Sequence, residues 1–75
     1  MIERFLKYSL EREKKICVVL MDGGVMKKTN LRVTAIDGDG AGFSALLPGR
    51  KREVYIPLDG VLTATYARGD KGELE

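Results

Sequence analysis

Turn signals fall at short, regular intervals along most of this chain, and their spacing limits what it can fold into. Asp22-Gly23-Gly24, Asp37-Gly38-Asp39-Gly40, Pro48-Gly49, Leu58-Asp59-Gly60 and Arg68-Gly69-Asp70 leave between them stretches that suit a strand. The stretches are also of strand type. Lys15 to Met21 holds the run Ile16-Cys17-Val18-Val19-Leu20. From Met26 to Asp37 the residues alternate in part, Leu31, Val33 and Ala35 on one face against Asn30, Arg32 and Thr34 on the other, which predicts a long, bent strand. Gly42 to Leu47, Lys51 to Pro57 and Val61 to Ala67 supply three more, with Val54 and Ile56 opposing Glu53 and Tyr55. Only residues 2 to 13 read otherwise: Ile2, Phe5, Leu6 and Leu10 recur at helical spacing among charged neighbours, and Lys14 and Lys15 follow at the negative pole of the helix dipole. One helix followed by five short strands predicts an all-β domain, a small five-stranded bent barrel with an N-terminal α-helix over its opening.

The expected organisation is a single domain over residues 1–70 and a polar tail over 71–75, in which Leu74-Glu75 has the form of a vector-derived scar. At 75 residues the core must be thin, so help from oligomerisation or a partner is expected. The net charge is only +2, from thirteen Lys and Arg against eleven Asp and Glu, so an argument for a polyanionic partner has to rest on where the cations cluster. There is no His, and the lone Cys17 lies within an apolar run, where a thiol acts as a small hydrophobe. Without a His, paired thiols or metal spacing, the carboxylates offer no catalytic or metal constellation, so the expectation is a non-enzyme without cofactor. The longest apolar run is too short to span a bilayer, no signal peptide is visible, and the cytoplasm is the default compartment.

Asp37-Gly38-Asp39-Gly40-Ala41-Gly42 invites a ligand-binding reading. As a calcium loop opened by Asp37 it would place Asp39 third and Gly42 sixth, but Ala41 falls fifth and Pro48 twelfth, where the bidentate acid belongs. As a phosphate cradle it lacks the third glycine at its distance and the helix that would follow. Asp and Gly in alternation at a hairpin tip, chosen for local hydrogen bonds and positive φ, account for it.

The stretch "ERFLKYSLEREKKICVVLMDGG", a helix entered through Phe5-Leu6, a charged run and an apolar strand ending in Asp-Gly, resembles the start of bacterial Hfq and, more loosely, of Sm-like proteins. Ile36-Asp37 falls where those families carry an aspartate before their nucleotide-facing loop, and Val54-Tyr55-Ile56-Pro57-Leu58-Asp59-Gly60-Val61 falls where they carry their second RNA motif. The likeness covers about residues 3 to 67. It implies a barrel of the Sm-like, SH3-like kind that assembles into a ring by edge-strand pairing and binds single-stranded RNA along one face. The departures are specific. Ala41 stands where Sm proteins carry an asparagine, and Tyr55-Ile56-Pro57 stands where Hfq carries Tyr-Lys-His, so the His-dependent uridine pocket has no counterpart. Barrels of this shape also serve as ligand-sensing and peptide-binding modules, including the WYL-type domains of bacterial regulators.

Gly49-Arg50-Lys51-Arg52 gathers three cations in one turn, suited to phosphate and equally to a solubilising turn that discourages aggregation. Lys27 and Lys28 with Arg32 form a second group near the start of the second strand, for which a solvated face is the plainer account. Arg12, Lys14 and Lys15 form a third, diluted by Glu11 and Glu13. Of the five aromatic residues Phe5 belongs to the helix's apolar face and Phe43 to packing, and Tyr55, opposite the inward Val54 and Ile56, is the candidate stacking platform. The expected function is non-catalytic binding of single-stranded RNA through Arg50, Lys51, Arg52, Tyr55, Lys27, Lys28 and Arg32. The alternative is a protein-interaction or assembly module built on the same barrel, whose sheet edge pairs with a partner chain.

Overall fold

The structure, a computed structural model, describes residues 2–70; the polar tail expected over 71–75 lies outside them. Helix α1 spans Ile2–Arg12 and is followed by strands β1 (Ile16–Asp22), β2 (Val25–Ile36), β3 (Gly42–Leu46) and β4 (Val54–Pro57), a 3-10 turn (Leu58–Gly60) and β5 (Val61–Tyr66). The strands form one antiparallel sheet in the order β4-β3-β2-β1-β5, and the sheet is not closed: β4 and β5 stand at its two ends.

Helix α1 stops because Glu13 turns left-handed, with φ 56, and the Lys14 N–H then reaches back to the Ser9 carbonyl at 3.2 Å. That six-to-one bond satisfies one of the orphan carbonyls of the last turn. Strands β1 and β2 are joined by Gly23-Gly24 alone, with φ of 61 and 84, the two positive values that a tight hairpin of matching twist requires.

Strand β2 carries the bend. Its residues up to Leu31 pair with β1, and from Arg32 onward they pair with β3. The register slips between Val33 and Ala35, so Val33 stays in the core, Ala35 is exposed, and Ile36 takes the inward position opposite Phe43. Simple alternation had placed Ala35 with Leu31 and Val33; the bulge at Thr34 is what separates them. The bulge also frees the Val33 N–H, which donates to Ser9 Oγ at 2.8 Å, while the same hydroxyl donates to the Lys14 carbonyl at 2.6 Å. Ser9 is wholly buried, and it ties the helix end to the bend.

The core collects Leu6 from α1, Ile16 and Val18 from β1, Leu31 and Val33 from β2, Phe43 and Ala45 from β3, Ile56 from β4 and Val61 from β5. Tyr66 receives the rings of Phe5 and Tyr8 edge-on, at centroid distances of 4.9 and 5.0 Å, and the Tyr8 hydroxyl donates to the Asp70 carboxylate at 2.8–2.9 Å. This contact anchors the Arg68-Gly69-Asp70 turn under the helix. Cys17 is buried, in keeping with a packing role. Strand β4 begins at Val54 rather than Lys51, so the cations of the preceding turn stay in a loop. Among the described residues no helix is long and apolar enough to cross a membrane.

Candidate nucleic-acid interface

The bend of β2 brings the β3–β4 turn towards the β1–β2 hairpin, and a groove of about 560 Å³ opens between them. Leu20 from β1, Leu47 from the end of β3, and Val54 and Ile56 from β4 supply its apolar lining. Arg50 borders it from the turn and Lys27 from β2, whereas Lys28, the next residue of the strand, is on the opposite face, where it borders a second cleft with Asn30 and Arg68. Two cation groups that lie far apart in the sequence therefore border one concave surface. Lys27 is opposite Leu20 in the β1–β2 register, so the two share a face, and its ammonium sits 3.1 Å from the Asp22 carboxylate in an exposed ion pair. In water such a pair is weak and exchanges readily for a phosphate contact.

The other predicted residues do not join this groove. Lys51 and Arg52 are exposed on the same turn as Arg50 but do not line it. Arg32 is half-buried opposite Leu46, on the β2–β3 pair. Tyr55 alternates with Val54 and Ile56 and so lies on the outer face of β4, 52% exposed. Its ring lies over Gly42, where an added Cβ would stand 2.7 Å from the ring's Cζ, and its hydroxyl donates to Asp37 Oδ2 at 2.6 Å. That hydrogen bond, with smaller contributions from partial burial and the charges of Asp37 and Asp39, holds the phenol protonated above its ordinary range. Phe43 is fully buried, so it offers no stacking surface.

The Asp-Gly stretch is a hairpin tip. The Asp37 N–H donates to the Gly42 carbonyl at 3.0 Å, the Gly40 N–H to the Asp37 carbonyl at 3.1 Å, and the Ala41 N–H to Asp39 Oδ1 at 3.0 Å. Gly40 has φ 76, the conformation that Gly enters freely. Among the described residues no group of three or more Cys, Asp or Glu is placed to hold a metal ion.

Sequence reasoning missed Leu20, Leu47 and Val54 as groove residues because each reads as ordinary core. Of the three, only Val54 belongs to an edge strand; Leu20 and Leu47 belong to or follow strands paired on both sides. Fold and groove together define a helix-capped, five-stranded antiparallel sheet protein with a cation-rimmed cleft beside one sheet edge. No family model matches the chain, and comparison with curated proteins and with solved structures gave no match.

Proposed function

We propose that this protein binds single-stranded RNA without catalysis, as a small barrel that resembles those of Hfq and Sm-like proteins and assembles into a ring. The convergence of Arg50 and Lys27 on one groove, with Lys28 beside it on the adjoining face, carries this reading, since clustered like charge attracts a polyanion where a net charge of +2 would not. Lys51 and Arg52 extend the cationic turn. The barrel reading draws support from the bend of β2, which turns β3 and β4 back towards the β1–β2 hairpin. Tyr55 offers a stacking surface on the outer face of β4, at the end of the sheet where Asp37 and Asp39 disfavour phosphate. Arg32, on the β2–β3 pair, does not line the groove.

A second reading, a protein-interaction or assembly module, draws on a different observation. Strand β5 carries no charged residue and no Pro along its free edge, and Met21, Val25, Met26 and Leu62 are exposed large hydrophobics nearby in the β1–β2 hairpin and β5.

Fluorescence anisotropy of labelled A-rich and U-rich RNA at two or more salt concentrations tests the first reading. Binding should weaken with salt, and Lys27→Ala/Lys28→Ala/Arg50→Ala should reduce the log–log salt slope by about 0.7 for each cation that contacts phosphate. No binding at low salt would overturn the RNA reading and leave the assembly module.

A further inference from the structure

Helix α1 covers the sheet chiefly along β2 and β5, and among the described residues none of the helix lines the groove beside β4. Leu20, Leu47, Val54 and Ile56 form an aliphatic floor there, without an aromatic ring. Phosphate contacts alone need exposed positive charge and no such floor, because they are made at the surface and carry affinity without apolar burial. The volume of about 560 Å³ lies within the range of roughly 300–1,000 Å³ typical of small-molecule sites. The charges on this face are few and of mixed sign. Arg50 stands on the turn wall, in no ion pair among the described residues, and Lys27 stands on the hairpin wall, 3.1 Å from the Asp22 carboxylate. Two cations and one carboxylate leave a single net positive charge at the mouth.

We propose that the groove binds a monoanionic amphiphile with a straight aliphatic chain, a medium-chain carboxylate, its tail laid along Leu20, Leu47, Val54 and Ile56 and its head at Arg50 and Lys27. The assignment goes beyond the RNA reading and does not rest on it. A saturated tail gains from burial against aliphatic groups and needs no ring to stack on. The guanidinium fork of Arg50 suits a carboxylate, which it can hold by two parallel hydrogen bonds. One net positive charge matches a monoanion, whereas a doubly charged head would carry a second charge that Asp22 repels. Head and tail are recognised from the same turn, because the Arg50 N–H donates to the Leu47 carbonyl at 3.1 Å and so holds the cation close to one end of the floor. The ligand meets side chains of β4 and leaves its backbone edge free for another chain. An extended peptide is a poorer occupant: it needs a groove that continues along the edge, and β4 is only four residues long and ends in Pro57. A lipid surface needs apolar side chains that protrude, and these line a recess.

The test titrates the intact chain with sodium hexanoate, octanoate and decanoate, each below its micelle concentration, and follows methyl resonances and heat of binding. The shifts should concentrate on Leu20, Leu47, Val54 and Ile56 and saturate at one ligand per chain. Affinity should rise about three- to fourfold for each added methylene until the groove is full. Octan-1-ol should bind severalfold more weakly than octanoate, and Arg50→Ala should bring octanoate close to the level of the alcohol while leaving the alcohol's own affinity unchanged. Val54→Trp, which fills the groove and keeps both cations, should lower decanoate affinity by at least about tenfold, the loss of two or more buried methylenes. Its fold is checked by circular dichroism, and Leu47→Gln, just past the end of β3, weakens the same tail contact without altering a strand. Affinity independent of chain length, octanol binding as tightly as octanoate, or binding unaltered in both groove variants would overturn the proposal. So would binding to anionic vesicles without any response to the monomeric carboxylates, which would assign the groove to a lipid surface. Absence of RNA binding in the anisotropy titration removes the RNA reading and leaves this site untouched, so the two fail separately.

Discussion

Ser9 stands at a junction that three elements share. Its hydroxyl accepts the Val33 N–H released by the β2 bulge and donates to the Lys14 carbonyl beyond the end of α1, all with the side chain wholly buried. Ser9→Ala leaves a buried backbone donor without a partner, and the expected cost is about 1–3 kcal/mol. For a domain of this size each kcal/mol lowers the thermal midpoint by about 4–8 °C, which scanning calorimetry reads directly. Gly42 is the second residue whose identity the packing demands. The reason is not φ: a Cβ there would stand 2.7 Å from both the Tyr55 Cζ and the Ile56 carbonyl oxygen. Gly42→Ala should therefore destabilise by about 1–3 kcal/mol, as overpacked sites do. Gly42→Ala/Tyr55→Ala should recover only part of that loss, because the clash with the Ile56 backbone remains; full recovery in a denaturant titration would assign the whole effect to the ring.

At the scale of elements, α1 ends on a residue ill suited to its conformation. Glu13 holds φ 56 in a position that Gly fills without steric cost, while the Lys14-to-Ser9 bond depends on that turn being made. Glu13→Gly relieves the strain and gives back part of the gain through the greater freedom of the unfolded chain. A net stabilisation of about 0.5–1 kcal/mol is expected, read as a higher urea midpoint at an unchanged m-value. The strands show where local pattern suffices. Gly23-Gly24 between two apolar runs specified the β1–β2 hairpin, and the bounds expected for β1, β2, β3 and β5 lie within about a residue of those found. The pattern failed where a long-range partner was in control. Ala35 continued the alternation of Leu31 and Val33, but the bulge that turns it outward is completed by Ser9, twenty-four positions away from Val33. Lys51 to Glu53 carried a plausible strand's length, yet only Val54 to Pro57 finds partners, on β3.

The whole molecule leaves two strands at its margins, β4 and β5, and they are not equivalent. Natural edges are commonly blunted by charge, Pro or bulges. Strand β4 ends in Pro57, whereas Val61–Tyr66 has neither charge nor Pro along it. An unprotected edge on a 75-residue chain with a thin core is expected to be paired in an assembly. Light scattering coupled to gel filtration should give a mass several times that of the chain, and Thr63→Lys, at an exposed edge position, should reduce it without lowering helix or strand content; a monomer in the unaltered protein would remove the ring from the functional reading. Assembly and RNA binding can then be scored separately, because the groove cations lie on β2 and the β3–β4 turn, apart from Thr63.

By itself the sequence determined the element order, the tight hairpin and the exposure of the basic turn, because each depends on residues near one another along the chain: helical spacing in Ile2 to Leu10, paired glycines at positions 23 and 24, and three cations after Gly49. It also placed Phe43 and Cys17 in packing roles on the strength of their apolar neighbours. Tertiary structure alone decided which cations meet and which aromatic ring is pinned. Lys27 and Arg50, far apart in the sequence, border one groove, and Tyr55 is held over Gly42 by Asp37, eighteen positions away. Both depend on pairings between strands distant in the chain, β2 with β3 and β3 with β4. Periodicity records which face a residue occupies relative to its neighbours, and it carries no information about which distant strand that face will meet.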